Sequence, residues 1–258
     1  MFRWIRVERD GDVLVVTIDR PPLNAIDAEL HHELAQLFLN LRQESDARAI
    51  LLTGEGKMFS AGGDFDWFPT LRDPARLAQL RREAKQLIWD LVDIEIPLVL
   101  AINGPAVGLG ATIALLGDVI FIADTAHVAD PHVRVGIVAG DGGAAIWPLL
   151  VGPARAKQYL LTGDPVPAVE AERIGLVNQV VPAADLHKVA LAMAHRLANG
   201  APLAVQYTKS AVNQQVKAAL QLSFDYSLAH ELVTFQSNDH AEALRAITER
   251  RPPTFEGG

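Results

Sequence analysis

The chain has 258 residues, of which 50% are hydrophobic and 21% charged, so it can bury a sizeable core and is not expected to be disordered. Its formal net charge of −8 argues against nucleic acid or an anionic membrane surface as the main partner. The chain has no cysteine, which excludes disulfides, thiolate nucleophiles and thiolate metal ligands and fits a reducing cytoplasm.

One uncharged run, residues 97–117, could suggest a membrane span. It contains Pro97, Gly104, Pro105 and two further glycines, so a strand, a glycine turn and a buried helix explain it better. The first residues also lack the pattern of a signal peptide. We therefore expect a cytoplasmic protein that does not enter the membrane.

The first part of the chain alternates short apolar segments with amphipathic ones, beginning with a hairpin around Asp10-Gly11. The predicted strands are residues 4–9, 14–19, 49–53, 97–102 and 119–123. The first predicted helix begins at Asp27 and ends near Arg42, and two further helices span residues 74–93 and 110–116. This alternation predicts parallel strands joined by helical crossovers, and hence an α/β fold.

From Asp185 onward only helical patterns appear. The predicted helices span residues 185–199, 202–215, 218–235 and 239–250. We therefore predict a core of residues 1–184 and a C-terminal helical region of residues 185–258, which packs on the core or on another subunit.

Two glycine-rich segments each follow a predicted strand. Residues 59–64 read Phe-Ser-Ala-Gly-Gly-Asp, and residues 102–110 contain Gly104, Gly108 and Gly110 and open a helix. Converging backbone N–H groups of this kind can form an oxyanion hole, although tight turns with close packing explain the glycines equally well. Dinucleotide binding is a weaker alternative, because the third glycine position of that motif is Ile113.

The chain resembles the crotonase superfamily, the enoyl-CoA hydratase/isomerase group, along nearly its whole length. The motifs that carry the resemblance are Ile18-Asp19-Arg20-Pro21, Asn24-Ala25, Phe59-Ser60-Ala61-Gly62-Gly63-Asp64, Ile102-Asn103-Gly104, Gly140-Asp141-Gly142-Gly143, residues 160–164, residues 175–178 and Arg250-Arg251-Pro252. The resemblance implies a spiral of ββα units with a C-terminal helical trimerisation region. It also implies a small-molecule substrate and a homotrimer or dimer of trimers.

The resemblance implies a site as well. The backbone N–H groups of Gly63 and Leu109 map to the oxyanion hole. The expected substrate-binding residues are Ala61, Gly62, Asp64, Gly108 and Thr112. Hydratases of the family use two glutamates, but those positions hold Thr112 and His132 here. Ordinary two-glutamate hydration is therefore not expected.

His132 and Asp141 are the catalytic candidates that remain. Histidine titrates near neutrality, and an aspartate can orient it and stabilise its charged form. The loop from Pro131 through Asp141 to Trp147-Pro148 resembles that of the β-diketone hydrolases of the superfamily, of the oxocamphor hydrolase type. By that resemblance His132 activates water for hydrolytic, retro-Claisen cleavage of a carbon–carbon bond, and Asp141 assists or relays a proton to an enolate.

Several alternatives remain open from the sequence. Asp141 could be the lone acid or base of a hydratase/isomerase-type reaction on an acyl-CoA, or only a helix cap in a scaffold without activity. Asp130 is a second candidate acid, whereas His127 is expected on a strand or rim. We expect no metal and no bound cofactor, but coenzyme A is possible as part of the substrate. Its phosphates would require cations, for which the candidates are Arg20, Arg72, Arg81 and Arg82.

Overall fold

A computed structural model describes residues 2–258 of the chain. Its strands are β1 (Ile5–Asp10), β2 (Val13–Ile18), β3 (Ala49–Gly54), β4 (Leu98–Ile102), β5 (Ala106–Val107), β6 (Val119–Ala123), β7 (His127–Ala129), β8 (Val166–Pro167) and β9 (Gln179–Val181). Its α-helices are α1 (Ala28–Arg42), α2 (Pro74–Val92), α3 (Leu109–Leu115), α4 (Gly143–Thr162), α5 (Ala168–Arg173), α6 (Leu186–Ala198), α7 (Pro202–Thr234) and α8 (Asn238–Glu249). Two short 3₁₀ helices span Phe68–Arg72 and His132–Val135.

The strands form two sheets. The larger one has six strands in the order β1-β2-β3-β4-β6-β9, and the smaller one has three in the order β5-β7-β8. Only the β1–β2 hairpin pairs antiparallel in the larger sheet, whereas its other neighbours are parallel. Successive units place one strand in each sheet before a helix, as in β4-β5-α3 and β6-β7-α4. This arrangement confirms the predicted α/β class.

The large sheet forms the centre of the core. All residues of β3 and β4 are buried, as expected for parallel strands that are covered on both faces. Helix α1 begins after Asp27, whose carboxylate accepts the N–H of Leu30 at 2.9 Å, and it buries Leu34 and Phe38. Helix α1 packs against α2, and these two helices later form one wall of the site.

The C-terminal region differs from the prediction in one respect. The sequence predicts separate helices at 202–215 and 218–235, but this prediction is wrong because α7 runs unbroken from Pro202 to Thr234. The intervening Val216-Lys217 contains neither glycine nor proline, so nothing ends the helix there. Helix α6 packs against β3 and β4, and α7 packs against α4. Among residues 2–258, no helix combines the length and apolar character needed to cross a membrane.

Candidate active site

Two glycine turns bring the β3–α2 connection and the β5–α3 connection together. Gly62 has φ +79°, and a Cβ there would lie 2.9 Å from the carbonyl oxygen of Val107. Gly108 has φ +54° and ψ −126°, a conformation that glycine adopts far more readily than other residues. The two backbone segments therefore approach more closely than side chains would permit.

This approach places the N–H groups of Gly63 and Leu109 beside one pocket. Within residues 2–258, no hydrogen bond uses the N–H of Gly63 or that of Leu109. Leu109 is the first residue of α3, where an N–H has no partner inside the helix. The arrangement therefore has the two free backbone donors that an oxyanion hole needs, at the positions predicted from the sequence.

The pocket has an inner and an outer part. The inner pocket is about 550 Å³ in volume and is lined by Ile26, His31, Gly63, Trp67, Phe68, Leu80, Ala84, Ile88, Leu109, His132, Ile137, Asp141, Leu228, Glu231 and Phe235. The outer pocket is about 390 Å³ and includes Ala61, Gly62, Phe65 and Gly108. Gly63, Phe68, His132 and Ile137 line both, so the two parts of the pocket meet beside the free N–H group of Gly63.

His132 begins a 3₁₀ helix just after β7, and its ring is held from one side by Asp130. The Nδ1 atom of His132 lies in short contact with Oδ1 of Asp130, whose side chain is fully buried. A buried carboxylate needs a partner, and the imidazole supplies one. Asp130 therefore orients the ring and keeps a proton on Nδ1.

The other ring nitrogen of His132 faces two further carboxyl groups. Its Nε2 is 3.5 Å from Oδ2 of Asp141 and 3.9 Å from Oε1 of Glu231. Asp141 precedes α4, and its Oδ1 accepts hydrogen bonds from the Thr112 hydroxyl at 2.9 Å and the Gly143 N–H at 3.3 Å. Asp141 thus contacts the first residue of α4 and also faces His132, whereas the N-cap position of α4 is Gly142.

The charges in this buried cluster are interdependent. Burial lowers the pKa of His132, but the neighbouring carboxylates of Asp130, Asp141 and Glu231 outweigh it and raise that pKa to about 10. Burial also raises the pKa of Glu231 to about 8 and raises the pKa of Asp141 above its usual value. At neutral pH the cluster therefore holds an imidazolium beside a protonated Glu231.

The structure gives different positions to the residues predicted to bind substrate. Ala61, Gly62 and Gly108 line the outer pocket as expected. Thr112 is fully buried behind Asp141, and Asp64 pairs with Arg20 at 3.0 Å, so neither lines the inner or the outer pocket. Their placement on the pocket wall is therefore corrected: Thr112 positions Asp141, and Asp64 braces the glycine loop.

The sequence did not identify Glu231 or His31 as residues of the site, and it indicated Asp130 only as a second candidate acid. Glu231 lies on α7 and is 6% exposed, on the same buried face as Phe224 and Leu228. An acidic residue at helical spacing within an apolar face is the signal that could have identified it. His127 lies at the start of β7, is half-buried and does not line either pocket, in line with its expected place on a strand.

The structure bears on two expectations, the absence of a metal ion and the cations proposed to bind coenzyme A. Asp130, His132 and Asp141 offer oxygen and nitrogen atoms within 4.8 Å of one another, a spacing that could hold a metal ion. A histidine that donates from Nδ1 and is charged cannot ligate a metal until it loses a proton, and the expectation of no metal stays a prediction.

The cations proposed to bind coenzyme A lie in different surroundings. Arg20 forms ion pairs with Asp27 at 2.7 Å and with Asp64. The other cations proposed to bind coenzyme A, Arg72, Arg81 and Arg82, are exposed.

Comparison with known proteins places this geometry in a family. The sequence model of the enoyl-CoA hydratase/isomerase family matches residues 8–258. The chain belongs to the enoyl-CoA hydratase/isomerase family. It is 34% identical to carnitinyl-CoA dehydratase of Escherichia coli O157:H7 over 262 residues, covering 100% of both chains.

Solved structures of the family agree with the fold. An enoyl-CoA hydratase/isomerase from Mycobacterium paratuberculosis superposes with a TM-score of 0.91 at 38% identity, covering 95% of this chain and 98% of that one. A β-diketone hydrolase from the cyanobacterium Anabaena sp. PCC 7120, bound to (S)-3-oxocyclohexyl acetic acid, superposes with a TM-score of 0.86 at 29% identity, covering 91% and 94%. The predicted crotonase-like spiral with C-terminal helices is therefore confirmed, and the chain is a crotonase-family enzyme.

The contact between Asp130 and His132 leads to a direct prediction. Asp130→Asn removes the charge next to Nδ1, so we expect the pKa of His132 to fall by about 1–3 units. Histidine-selective NMR titration measures this value, with the signal identified by its loss in His132→Ala. Asp164→Asn, at an exposed carboxylate that pairs with Arg134, is the matched control and should leave the His132 signal unchanged. An unaltered His132 titration in Asp130→Asn would contradict the role given to Asp130.

Proposed function

We propose that this protein hydrolyses a carbon–carbon bond of a 1,3-dicarbonyl compound by a retro-Claisen reaction. The observation that carries the proposal is the position of His132 between Asp130, Asp141 and Glu231, in a pocket that also contains the free N–H groups of Gly63 and Leu109. One part of the pocket can stabilise an oxyanion, and the other can accept and return a proton.

In the proposed reaction, water adds to one carbonyl carbon of the substrate while the N–H groups of Gly63 and Leu109 stabilise the oxygen that becomes negative. The proton lost by water passes to the pair formed by His132 and Asp141. The bond between that carbonyl carbon and the central carbon then breaks, which releases a carboxylic acid and the enolate of the second carbonyl. The enolate carbon takes a proton, so the sum is substrate plus water giving a keto acid or an acid and a ketone.

The pKa values of the cluster indicate which group accepts the proton of water and which group donates a proton to the enolate. His132 alone is a poor acceptor because its pKa, about 10, keeps it protonated at neutral pH. Asp141 is the better acceptor, since burial raises its pKa and makes its carboxylate more basic than an ordinary aspartate. Glu231, with a pKa of about 8, is protonated and can donate to the enolate carbon. Nε2 of His132 lies near both carboxyl groups and can carry the proton from Asp141 back to Glu231.

The similarity to a β-diketone hydrolase supports this reaction class. That relative shares 29% identity and was solved with a ketone-bearing carboxylic acid, the kind of product that hydrolysis of a cyclic 1,3-diketone yields. The inner pocket of this chain combines an apolar wall with a group of proton donors and acceptors.

A second candidate function is a lyase or hydratase reaction on an acyl-CoA. It is favoured by the carnitinyl-CoA dehydratases, which are 33–35% identical to this chain over its full length. In that reaction Asp141 or Glu231 would move the proton, and the outer pocket would receive the coenzyme arm. A scaffold without activity would bind ligand and release no product.

We also propose that the protein is a homotrimer or a dimer of trimers. Helix α7 exposes large apolar side chains, and an exposed apolar surface of this kind is typical of a subunit interface. These residues are Leu203, Tyr207, Val212, Leu222, Tyr226 and Val233. Sedimentation velocity should give about 84 or 167 kDa, which is three or six times the chain mass of 27.9 kDa. A monomeric species at micromolar concentration would contradict this proposal.

The reaction class is tested by product analysis in water labelled with ¹⁸O. We expect 2-alkyl-substituted cyclic 1,3-diketones to give ring-opened keto acids, and acyclic ones to give an acid plus a ketone, with one labelled oxygen in the carboxylate. Enoyl-CoA and 3-hydroxyacyl-CoA thioesters are assayed in parallel by mass spectrometry. Hydration or dehydration of the thioesters with no cleavage of diketones would favour the second candidate and contradict ours.

The same assay tests the charged pair. His132→Ala and Asp141→Asn should each lower kcat by about 10²–10⁴-fold, the usual contribution of a positioned acid or base. His127→Ala is the matched control because His127 lies outside both pockets, and it should retain wild-type turnover. Wild-type turnover in both site variants would show that the pair does not carry the reaction.

The proton on Glu231 predicts a pH dependence. Because Glu231 donates a proton in the proposed reaction, kcat/KM should fall above pH 8 as Glu231, with a pKa of about 8, loses its proton. A decline on the acidic side is expected where Asp141 becomes protonated, above the usual range for aspartate. Glu231→Gln cannot donate a proton, so it should lower kcat and remove the decline near pH 8. A profile with the same alkaline limb in Glu231→Gln would assign that limb to another group.

A further inference from the structure

His31 is a buried histidine that lines the inner pocket and has no part in the proton chemistry proposed above. It lies in the first turn of α1, is 2% exposed, and its Nδ1 is 3.2 Å from Oε2 of Glu83 on α2. Trp67 packs beside it, with ring centroids 5.6 Å apart. A polar ring at this depth is costly unless both of its nitrogens are satisfied.

Glu83 fixes the ring in one orientation. Its Oε1 accepts a hydrogen bond from Gln79 at 2.9 Å and lies 3.0 Å from Nδ1 of His32. Burial raises the pKa of Glu83, but these hydrogen bonds and the contact with His31 lower it to about 2, so Glu83 is a carboxylate at neutral pH. A carboxylate only accepts hydrogen bonds, and therefore Nδ1 of His31 carries a hydrogen that points at Glu83.

The remaining nitrogen of His31 is available to a ligand. Glu83 does not line the inner pocket, whereas His31 does, so we infer that the ring meets the pocket with the edge opposite Nδ1, which carries Nε2. Within residues 2–258, no protein group hydrogen-bonds to this Nε2. Beyond the cluster of His132, Asp141 and Glu231, the described lining is apolar except for His31 and Trp67.

We propose that His31 is a specificity-determining residue whose Nε2 hydrogen-bonds a second oxygen of the substrate, one that lies away from the oxyanion hole formed by Gly63 and Leu109. The ligand class is a cyclic ketone that also carries a carboxyl or a second carbonyl group. The carboxyl or attacked carbonyl occupies the oxyanion hole, and the ring ketone oxygen meets His31. This inference rests on the proposed function and specifies which compounds the site selects.

The first test uses two binding probes that differ by one oxygen. (S)-3-oxocyclohexyl acetic acid has the ring ketone, and cyclohexylacetic acid lacks it. We expect the wild-type protein to bind the keto acid on the order of 10-fold more tightly by isothermal titration calorimetry, the usual contribution of one net hydrogen bond. Equal affinity for the two acids, or binding of neither, would overturn the proposal.

Variants assign the difference to His31. His31→Phe keeps an aromatic ring but no Nε2, so the two acids should bind with equal affinity, and the affinity for cyclohexylacetic acid should stay near that of the wild type. His31→Gln, which keeps a polar end, should retain part of the preference. If His31→Phe does not fold, as judged by circular dichroism, His31→Leu takes its place in the comparison.

The matched control is His32→Phe. His32 contacts the same carboxylate of Glu83, but its side chain is 55% exposed and it does not line the inner pocket. His32→Phe should keep the wild-type preference for the keto acid. Loss of the preference in His32→Phe, or its persistence in His31→Phe, would show that His31 does not contact the ketone.

The outcomes of these binding tests can be distinguished from those of the product analysis that tests the proposed reaction. If diketones are not cleaved but the keto acid is still preferred through His31, the reaction class fails and the binding role stands. If diketones are cleaved and His31→Phe keeps the preference, the binding role fails and the reaction class stands.

Discussion

The site depends on an imidazole, that of His132, buried against the fully buried carboxylate of Asp130. Removing a carboxylate from water costs several kcal/mol unless a partner compensates, and here the partner is itself surrounded by two more carboxyl groups. Burial is the main reason why Glu231 holds its proton up to about pH 8; the imidazolium of His132 opposes this shift, and the carboxyl groups of Asp141 and Asp130 add to it. The protonation states of this cluster are thus decided by burial and by the distances between its charged groups.

The start of α4 helps to stabilise this charge arrangement. Oδ1 of Asp141 accepts the N–H of Gly143, and a Cβ on Gly143 would overlap the carboxylate of Asp130, so both acids lie at the N-terminal end of the helix. That end carries a partial positive charge and free N–H donors. The glycines of this loop are needed for packing as well. A Cβ on Gly140 would lie 2.7 Å from the carbonyl oxygen of Ser227 on α7.

The groups that line the candidate site therefore come from parts of the chain that are far apart. The free N–H groups of Gly63 and Leu109 lie in the β3–α2 connection and at the start of α3, the imidazole of His132 follows β7, and Glu231 belongs to the C-terminal helical region. The predicted division at residue 185 separates Glu231 from the other groups, so the site is complete only when α7 is packed on α4. Helices α1 and α2 add an apolar wall and the buried ring of His31 to this pocket.

The resemblance to the family predicted the backbone donors at Gly63 and Leu109 and the replacement of two glutamates by Thr112 and His132. The sequence by itself determined the α/β class and most strand and helix positions. These follow from local patterns, because periodicity, turn glycines and motif spacing are properties of neighbouring residues. Only the tertiary structure decided that Asp130 holds His132, that Thr112 positions Asp141, and that Glu231 and His31 enter the pocket. Those relations join residues 29 to 99 positions apart or depend on the direction of a side chain, and burial, which shifts their pKa values, exists only after the chain has packed.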